Sequence, residues 1–255
     1  MILYNCDVID GLKKVENASV DLLFIDPPYN LGKKYKGTID HWKTDEEYLE
    51  WCYSWLEVSL QKLKPNGCLY FMSSTQYGAY FDIYLREKMH ILSRIIWEYD
   101  SSGVQAKKHF GSLYEPIIFA VMNKKNYTFN FKDIMVATKT GAQRKLIDYR
   151  KNPPVPYNEE KVPGNVWYFP RVRYRMKEYV EHPSQKPEAL LERIIKVSTN
   201  ETDTILDLFA GSFSLGMVCK RLNRKYIGIE KSKEYYTVGI ERLKDKKEVL
   251  NECDL

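Results

Sequence analysis

Residues 20–25, Val-Asp-Leu-Leu-Phe-Ile, run directly into Asp26-Pro27-Pro28-Tyr29, and this junction constrains the fold more than any other feature of the chain. Apart from Asp21 the run is apolar at both alternating sets of positions, so it suits a strand covered on two sides, as inside a parallel sheet. The prolines then end it. Each fixes its own φ, lacks an N–H and pushes the residue before it into extended backbone, so Asp26 and Pro27 cannot coil into a following helix. Their carbonyls stay available as acceptors beside one carboxylate and one flat ring. Such a cluster suits the exocyclic amino group of a base: the Asp26 carboxylate and the Pro27 carbonyl take its two hydrogens while Tyr29 stacks on the ring. A simple turn after a strand is the plainer reading of the same residues.

The rest of the chain alternates in the same way. Ile2 to Asn5 reads as a short strand and Asp7 to Lys14 as a short helix. Thr44 can cap a helix whose Tyr48, Leu49, Trp51, Cys52, Trp55, Leu56 and Leu63 recur at helical spacing. Lys64-Pro65-Asn66-Gly67 is expected to stop it before a buried strand, Cys68 to Met72. A helix over Gln76 to Lys88 and strands over Ile91 to Tyr99 and Pro116 to Met122 follow. The alternation fails from Asn123 to Pro183 and returns with a helix from Pro187, a strand at Thr204 to Leu208, a helix at Phe213 to Arg221, a strand at Lys225 to Glu230 and a helix from Glu234 to Val249. Strands separated by helices imply a mostly parallel α/β sheet, with residues 1–122 and 184–255 forming its halves and residues 123–183 an insertion.

The insertion carries the charge. The chain has a net charge of +5, yet the stretch from Lys124 to Val180 alone holds thirteen Lys and Arg against five Asp and Glu, which suits an anionic partner. Five scattered cysteines with no Cys-x-x-Cys pair indicate neither a disulfide framework nor a zinc site, and no metal site is expected. No apolar stretch approaches the roughly 20 residues that span a bilayer, so a cytoplasmic protein without a membrane partner is expected.

A second constellation follows the strand at Thr204. Asp207-Leu208-Phe209-Ala210-Gly211-Ser212-Phe213 joins a strand to a helix, where small residues let a ligand approach the backbone. Glu230, closing the next strand, is placed to hold ribose hydroxyls. Neither Gly-x-Gly-x-x-Gly nor a Gly-Lys-Ser/Thr loop is present, which argues against a dinucleotide or a triphosphate.

Together the two constellations resemble the DNA amino-methyltransferases, which pair an Asp-Pro-Pro-Tyr catalytic motif with a Phe-x-Gly loop for S-adenosylmethionine. The catalytic motif comes first and the cofactor loop last, the order of the family's circularly permuted beta group, whose middle segment recognises the target. Ser101-Ser102-Gly103-Val104-Gln105-Ala106-Lys107-Lys108-His109 and His182-Pro183-Ser184-Gln185-Lys186-Pro187 look especially like the solitary adenine-N6 methyltransferases of enterobacteria. The resemblance implies a Rossmann-like class I methyltransferase fold that transfers a methyl group to N6 of adenine in double-stranded DNA by base flipping and direct in-line transfer. Cytosine-N4 methylation and a catalytically silent nucleic-acid-binding subunit are the alternatives. It implies that Asp26, Pro27, Pro28 and Tyr29 are catalytic, and that Asp7, Asp26, Lys186, Asp207, Phe209, Ala210, Gly211, Ser212 and Glu230 bind the cofactor. Lys107, Lys108, His109, Arg144, Arg171, Arg173 and Arg175 are expected on DNA, the last three along one face if extended. Asp7 and Lys186 also admit plainer roles, as a helix cap and an exposed first-turn lysine. Phe213 stands where the family usually has Gly, and either shields the pocket or packs inward. The resemblance also admits a homodimer and a cognate restriction endonuclease as partners.

Overall fold

A computed structural model of the chain describes residues 1–35, 38–100 and 107–244. Residues 101–106 of the motif ending at His109, and the tail beyond residue 244, lie outside the described residues. Eight strands form the central sheet: β1 (Ile2–Asn5), β2 (Val20–Ile25), β3 (Leu63–Met72), β4 (His90–Glu98), β5 (Tyr114–Val121), β6 (Val166–Tyr168), β7 (Thr204–Asp207) and β8 (Lys225–Glu230). Six helices accompany them: α1 (Val8–Leu12), α2 (Asp45–Leu60), α3 (Gly78–Lys88), α4 (Glu188–Ser198), α5 (Ser214–Arg221) and α6 (Lys233–Leu243). The sheet order is β1-β8-β7-β2-β3-β5-β4-β6, and every neighbouring pair is parallel except the two that β5 makes.

The period-2 alternation of β2 explains the two layers. Leu22 and Phe24 face a core with Leu190 and Ile194 of α4, Leu215 and Val218 of α5, and Phe213. Leu23 and Ile25 face the opposite core with Leu12 of α1, Tyr48, Trp55 and Leu56 of α2, and Phe81 of α3. Thr44 caps α2 by accepting from the Glu47 amide at 3.2 Å, and three acids fill its first turn, where the helix dipole favours them. None of the described helices is long and apolar enough to cross a membrane.

Two details differ from the sequence reading. Lys64 to Gly67 does not separate helix from strand but lies within β3, which absorbs it as an irregularity: Val20 pairs with Leu63, and the next partner of β2, Leu22, pairs with Cys68. The Arg171 to Arg175 stretch is not a strand; it turns, with the Met176 amide donating to the Arg173 carbonyl at 3.0 Å and Arg175 at φ +73°. The insertion also contributes to the sheet, since its Val166–Tyr168 pairs in parallel with Ile96 to Glu98 as the edge strand.

Phe213 packs inward. It is fully buried at φ +58°, edge-on to Tyr226 and Tyr236, and a Cβ on Gly239 would lie 1.9 Å from its ring. Gly239 is therefore the small partner of this large residue. Phe213→Ala should lower unfolding stability by about 3–5 kcal/mol, the cost of a large-to-small change in a core, as read by urea denaturation. A change below about 1 kcal/mol would show that the ring is not part of the packed core.

Candidate active site

The chain crosses from β2 through α2 to β3 on one side and from β7 through α5 to β8 on the other, so β2 and β7, which are neighbours, form a topological switch point. Ligands of open α/β sheets bind outside the carboxyl ends of strands at such a point. Asp26 after β2, Leu208 after β7, Glu230 ending β8 and Asp7 after β1 all project there. The antiparallel β5 begins at the same edge, which brings Glu115 in.

Asp26 is held from two sides. Its Oδ1 accepts from the Tyr29 hydroxyl at 2.6 Å, and its Oδ2 lies 2.7 Å from the Lys186 ammonium. Glu115 Oε2 lies 3.1 Å from the Tyr29 hydroxyl and 3.5 Å from the same ammonium. Lys186 is only 7% exposed, and its Nζ sits 5.4 Å from the Tyr29 ring centroid. Burial works against its charge, but Asp26 and Glu115 outweigh burial and hold its pKa above the ordinary lysine value. Burial and the two carboxylates push the Tyr29 phenol well up, so it remains a donor.

A cavity of about 680 Å³ opens beside this cluster. Asp26, Pro27 and Pro28 line one part of it. Phe209 supplies an aromatic wall with Trp51 and Trp42: the Phe209–Trp51 centroids are 5.9 Å apart and the Trp51–Trp42 centroids 4.7 Å. Elsewhere in the lining, Glu230 is fixed by backbone amides, Oε2 accepting from Gly211 at 2.8 Å and Oε1 from Ser232 at 2.7 Å. Burial raises its pKa. Gly211 has φ +52°, and a Cβ there would come 2.9 Å from His182 Nε2, so a larger residue would be strained and would meet the imidazole. His182 lines the cavity edge-on to Tyr235, and burial, then Lys186, pulls its pKa down to about 4, leaving it neutral. Asp7 does cap α1 through the Ile9 amide at 3.2 Å, yet it also lines the cavity. The segment after Tyr29 folds back so that Tyr35, Asp40 and Trp42 join the lining.

Several expected residues stand elsewhere. Tyr29 is buried and does not line the cavity, and its hydroxyl donates to Asp26. Lys186 is neither exposed nor in the lining, because its charge is drawn to Asp26 and Glu115. Asp207 lies beneath the loop, where its Oδ2 accepts from Tyr226 and burial raises its pKa to about 7. Ala210 is tied by its amide to the Ile229 carbonyl, and Ser212 is buried with its carbonyl on Arg242. Neither lines the cavity. Lys107, Lys108, His109 and Arg144 are exposed. Arg173 pairs with Asp100, Arg171 sits 5.3 Å from the Tyr99 ring centroid, and Arg175 lies 5.8 Å from that of Tyr174. Asp40, Trp42 and Trp51 join the site without a signal that singles them out in the sequence, and Glu115 with only a faint one.

A switch-point cavity with an acid-Pro-Pro-Tyr strand end on one side and a glycine-loop carboxylate on the other, on this sheet, defines the class I methyltransferase architecture. The chain belongs to the DNA methylase family of N6 and N4 amino-methyltransferases, whose sequence profile matches residues 20–241. It is 55% identical over 237 residues to the DNA adenine methyltransferase YhdJ of Escherichia coli K12, covering 93% of this chain and 80% of that protein. It is 39% identical to the type II methyltransferase M.HpaI of Haemophilus parainfluenzae, over 93% and 72% of the two chains. The solved complex of M1.HpyAVI with SAM superposes with a TM-score of 0.64 at 26% identity, over 95% of this chain and 99% of that one. The PvuII cytosine-N4 DNA methyltransferase shares the fold, with a TM-score of 0.73 at 19% identity, over 96% and 86%.

Proposed function

We propose that the chain transfers a methyl group from S-adenosylmethionine to the N6 amino group of an adenine flipped out of duplex DNA. The observation that carries this is the Asp26 carboxylate, fixed by Tyr29 and Lys186 at the wall of a cavity whose other carboxylate, Glu230, is fixed by the glycine loop. The residues present fit the cofactor: Gly211 lets the loop backbone reach Glu230 at the cavity wall, Glu230 presents a buried acceptor to a ribose, and Phe209, Trp51 and Trp42 offer aromatic surface. When bound, the cofactor supplies an electrophilic methyl on a sulfonium that leaves as a neutral thioether.

An aromatic amine is a weak nucleophile because its lone pair is delocalised. Asp26 and the Pro27 carbonyl, accepting its two hydrogens, favour a pyramidal nitrogen and aim the lone pair at the methyl. Alignment supplies most of the remaining acceleration. The N–C bond forms as the S–C bond breaks, and the amine then sheds one proton. That proton passes on to water. Incubation with duplex DNA and S-adenosylmethionine, followed by digestion to nucleosides, should yield N6-methyladenine. N4-methylcytosine alone would overturn the base assignment.

Residues 123–183 are the proposed target-recognition segment, with Lys107, Lys108, His109 and Arg144 on the same partner. Neutralising Arg171, Arg173 and Arg175 together should flatten the dependence of DNA affinity on log salt by roughly 0.9 for each phosphate that the variant no longer neutralises. Because Arg173 already pairs with Asp100, an unchanged slope in a salt titration would assign the three to holding this turn.

A further inference from the structure

We propose that Phe110 is a wedge that enters the DNA base stack where the target adenine leaves it, an inference that rests on methyl transfer to a flipped adenine. Phe110 is fully exposed, the most exposed large apolar side chain among the described residues. Lys107, Lys108 and His109 precede it, all exposed, and Leu113 and Tyr114, also exposed, follow within four residues. Single exposed apolar residues are ordinary on a protein surface. A bare phenyl ring next to three basic side chains, with two more apolar ones close behind, is a different feature: an apolar point with cationic shoulders. Those shoulders suit phosphates on the two sides of a base step, and the ring suits the step itself.

The fold puts this segment beside the site. β5 begins with Tyr114 at the edge where the parallel strands end, and its second residue, Glu115, lies 3.1 Å from the Tyr29 hydroxyl. The Tyr99 amide donates to the Leu113 carbonyl at 3.0 Å, so the pairing of β4 with β5 continues to Leu113 and ties the segment to that edge. Phe110 stands five residues before Glu115, a reach of at most about 17 Å. An extruded base stays joined to the gap it leaves by its own sugar and phosphates, so whatever fills the gap must be anchored about that close to the pocket that receives the base. Arg171, 5.3 Å from the Tyr99 ring centroid, brings the basic turn to the same edge. The next most exposed aromatics are placed differently. Tyr174 packs edge-on to Tyr179 at 5.6 Å, and Tyr149 adjoins a two-stranded ladder apart from the central sheet. Extrusion breaks a base pair and its stacking, and an aromatic ring between the flanking bases recovers stacking whatever their identity. Phe110 is thus a positioning residue: it raises the population of flipped adenine without touching the reacting atoms.

The test is single-turnover methylation of a duplex carrying an adenine that the wild-type protein methylates. Phe110→Ala should lower the rate by about 10- to 100-fold, the range for losing one aromatic stack on a base, and Phe110→Trp should restore it to within a few-fold. With an abasic site opposite the target adenine, extrusion breaks no pair and the flipped state is already favoured, so the alanine deficit should shrink to a few-fold. The ring carries no charge, so the dependence of DNA affinity on log salt should keep its wild-type slope. Affinity for S-adenosylhomocysteine without DNA should be unchanged, since a fully exposed ring holds nothing in the fold. A Phe110→Ala rate within a few-fold of wild type on the matched duplex would overturn the proposal. So would an equal deficit on both duplexes, which marks a general DNA contact, or no rescue by tryptophan. A fall in S-adenosylhomocysteine affinity, or a change of oligomeric state in sedimentation, would assign the ring to the fold or to a contact between copies and overturn it as well. If the wild-type protein methylates no adenine in any duplex, the proposed reaction has failed and the wedge falls with it, an outcome distinct from a silent Phe110→Ala in an active enzyme.

Discussion

Asp26→Ala should lower the single-turnover rate of methyl transfer by about 10²- to 10³-fold, the range for losing one aligned hydrogen-bonding group at a reacting centre. In the proposed mechanism the carboxylate accepts one hydrogen of the reacting amine, and its orientation is set by Tyr29 at 2.6 Å and Lys186 at 2.7 Å. Removing it leaves the Pro27 carbonyl as the remaining acceptor of the pair, so the amine is aligned by one hydrogen bond instead of two. The protein should still fold, because Lys186 keeps Glu115 as a partner and Tyr29 keeps the same carboxylate at 3.1 Å. Asp26→Asn, which retains an acceptor oxygen without its charge, should fall between wild type and the alanine variant. Rapid-quench measurement with enzyme in excess over DNA decides the matter, and a rate in Asp26→Ala within a few-fold of wild type would rule out this role.

Much of this is legible in the sequence, for a physical reason. Parallel strands bury both faces, so β2, the inner part of β3, and β7 advertise themselves as apolar runs, and the residues closing them fall at one edge by topology alone. Asp26, Gly211 and Glu230 can therefore be named from local pattern. Glu115 cannot, because it opens a strand running the other way, and only the antiparallel placement of β5 brings a strand start to the same edge as the strand ends. A faint signal exists: Glu115-Pro116 opens an apolar run much as Asp26-Pro27 closes one. Lys186 stands out in the sequence but with the wrong neighbour, since a motif shows that a cation is present and not which of several carboxylates will neutralise it. Asp40 is hidden for a related reason. Its segment is polar and lysine-rich, the usual signature of a solvated loop, and only the fold-back onto the Tyr29 and Leu31 amides buries it.

Lys186→Met tests whether the buried cation sets the charge of the site. In the wild-type protein the raised pKa of Lys186 keeps the ammonium charged throughout the neutral range; its contribution to stability is fully present below the ordinary lysine pKa and is lost only as pH rises through the raised one. Methionine matches the length of the side chain but leaves Asp26 and Glu115 facing each other through one phenol hydroxyl. Two carboxylates in that position cannot both ionise cheaply, so one should take up a proton and titrate well above the usual carboxylate range. Breaking a buried ion pair by removing one partner should cost about 3–5 kcal/mol at pH 8, where both acids must be charged. Stability should recover as pH falls toward 5, because a carboxyl whose folded pKa is raised favours the folded state while protonated and loses that advantage as pH rises through it. Activity should move the other way, since transfer needs Asp26 ionised to accept the amine hydrogen. Denaturant unfolding and single-turnover rates at pH 5.5, 7 and 8.5 separate these trends. Parallel pH profiles for Lys186→Met and wild type would show that the lysine only fills space.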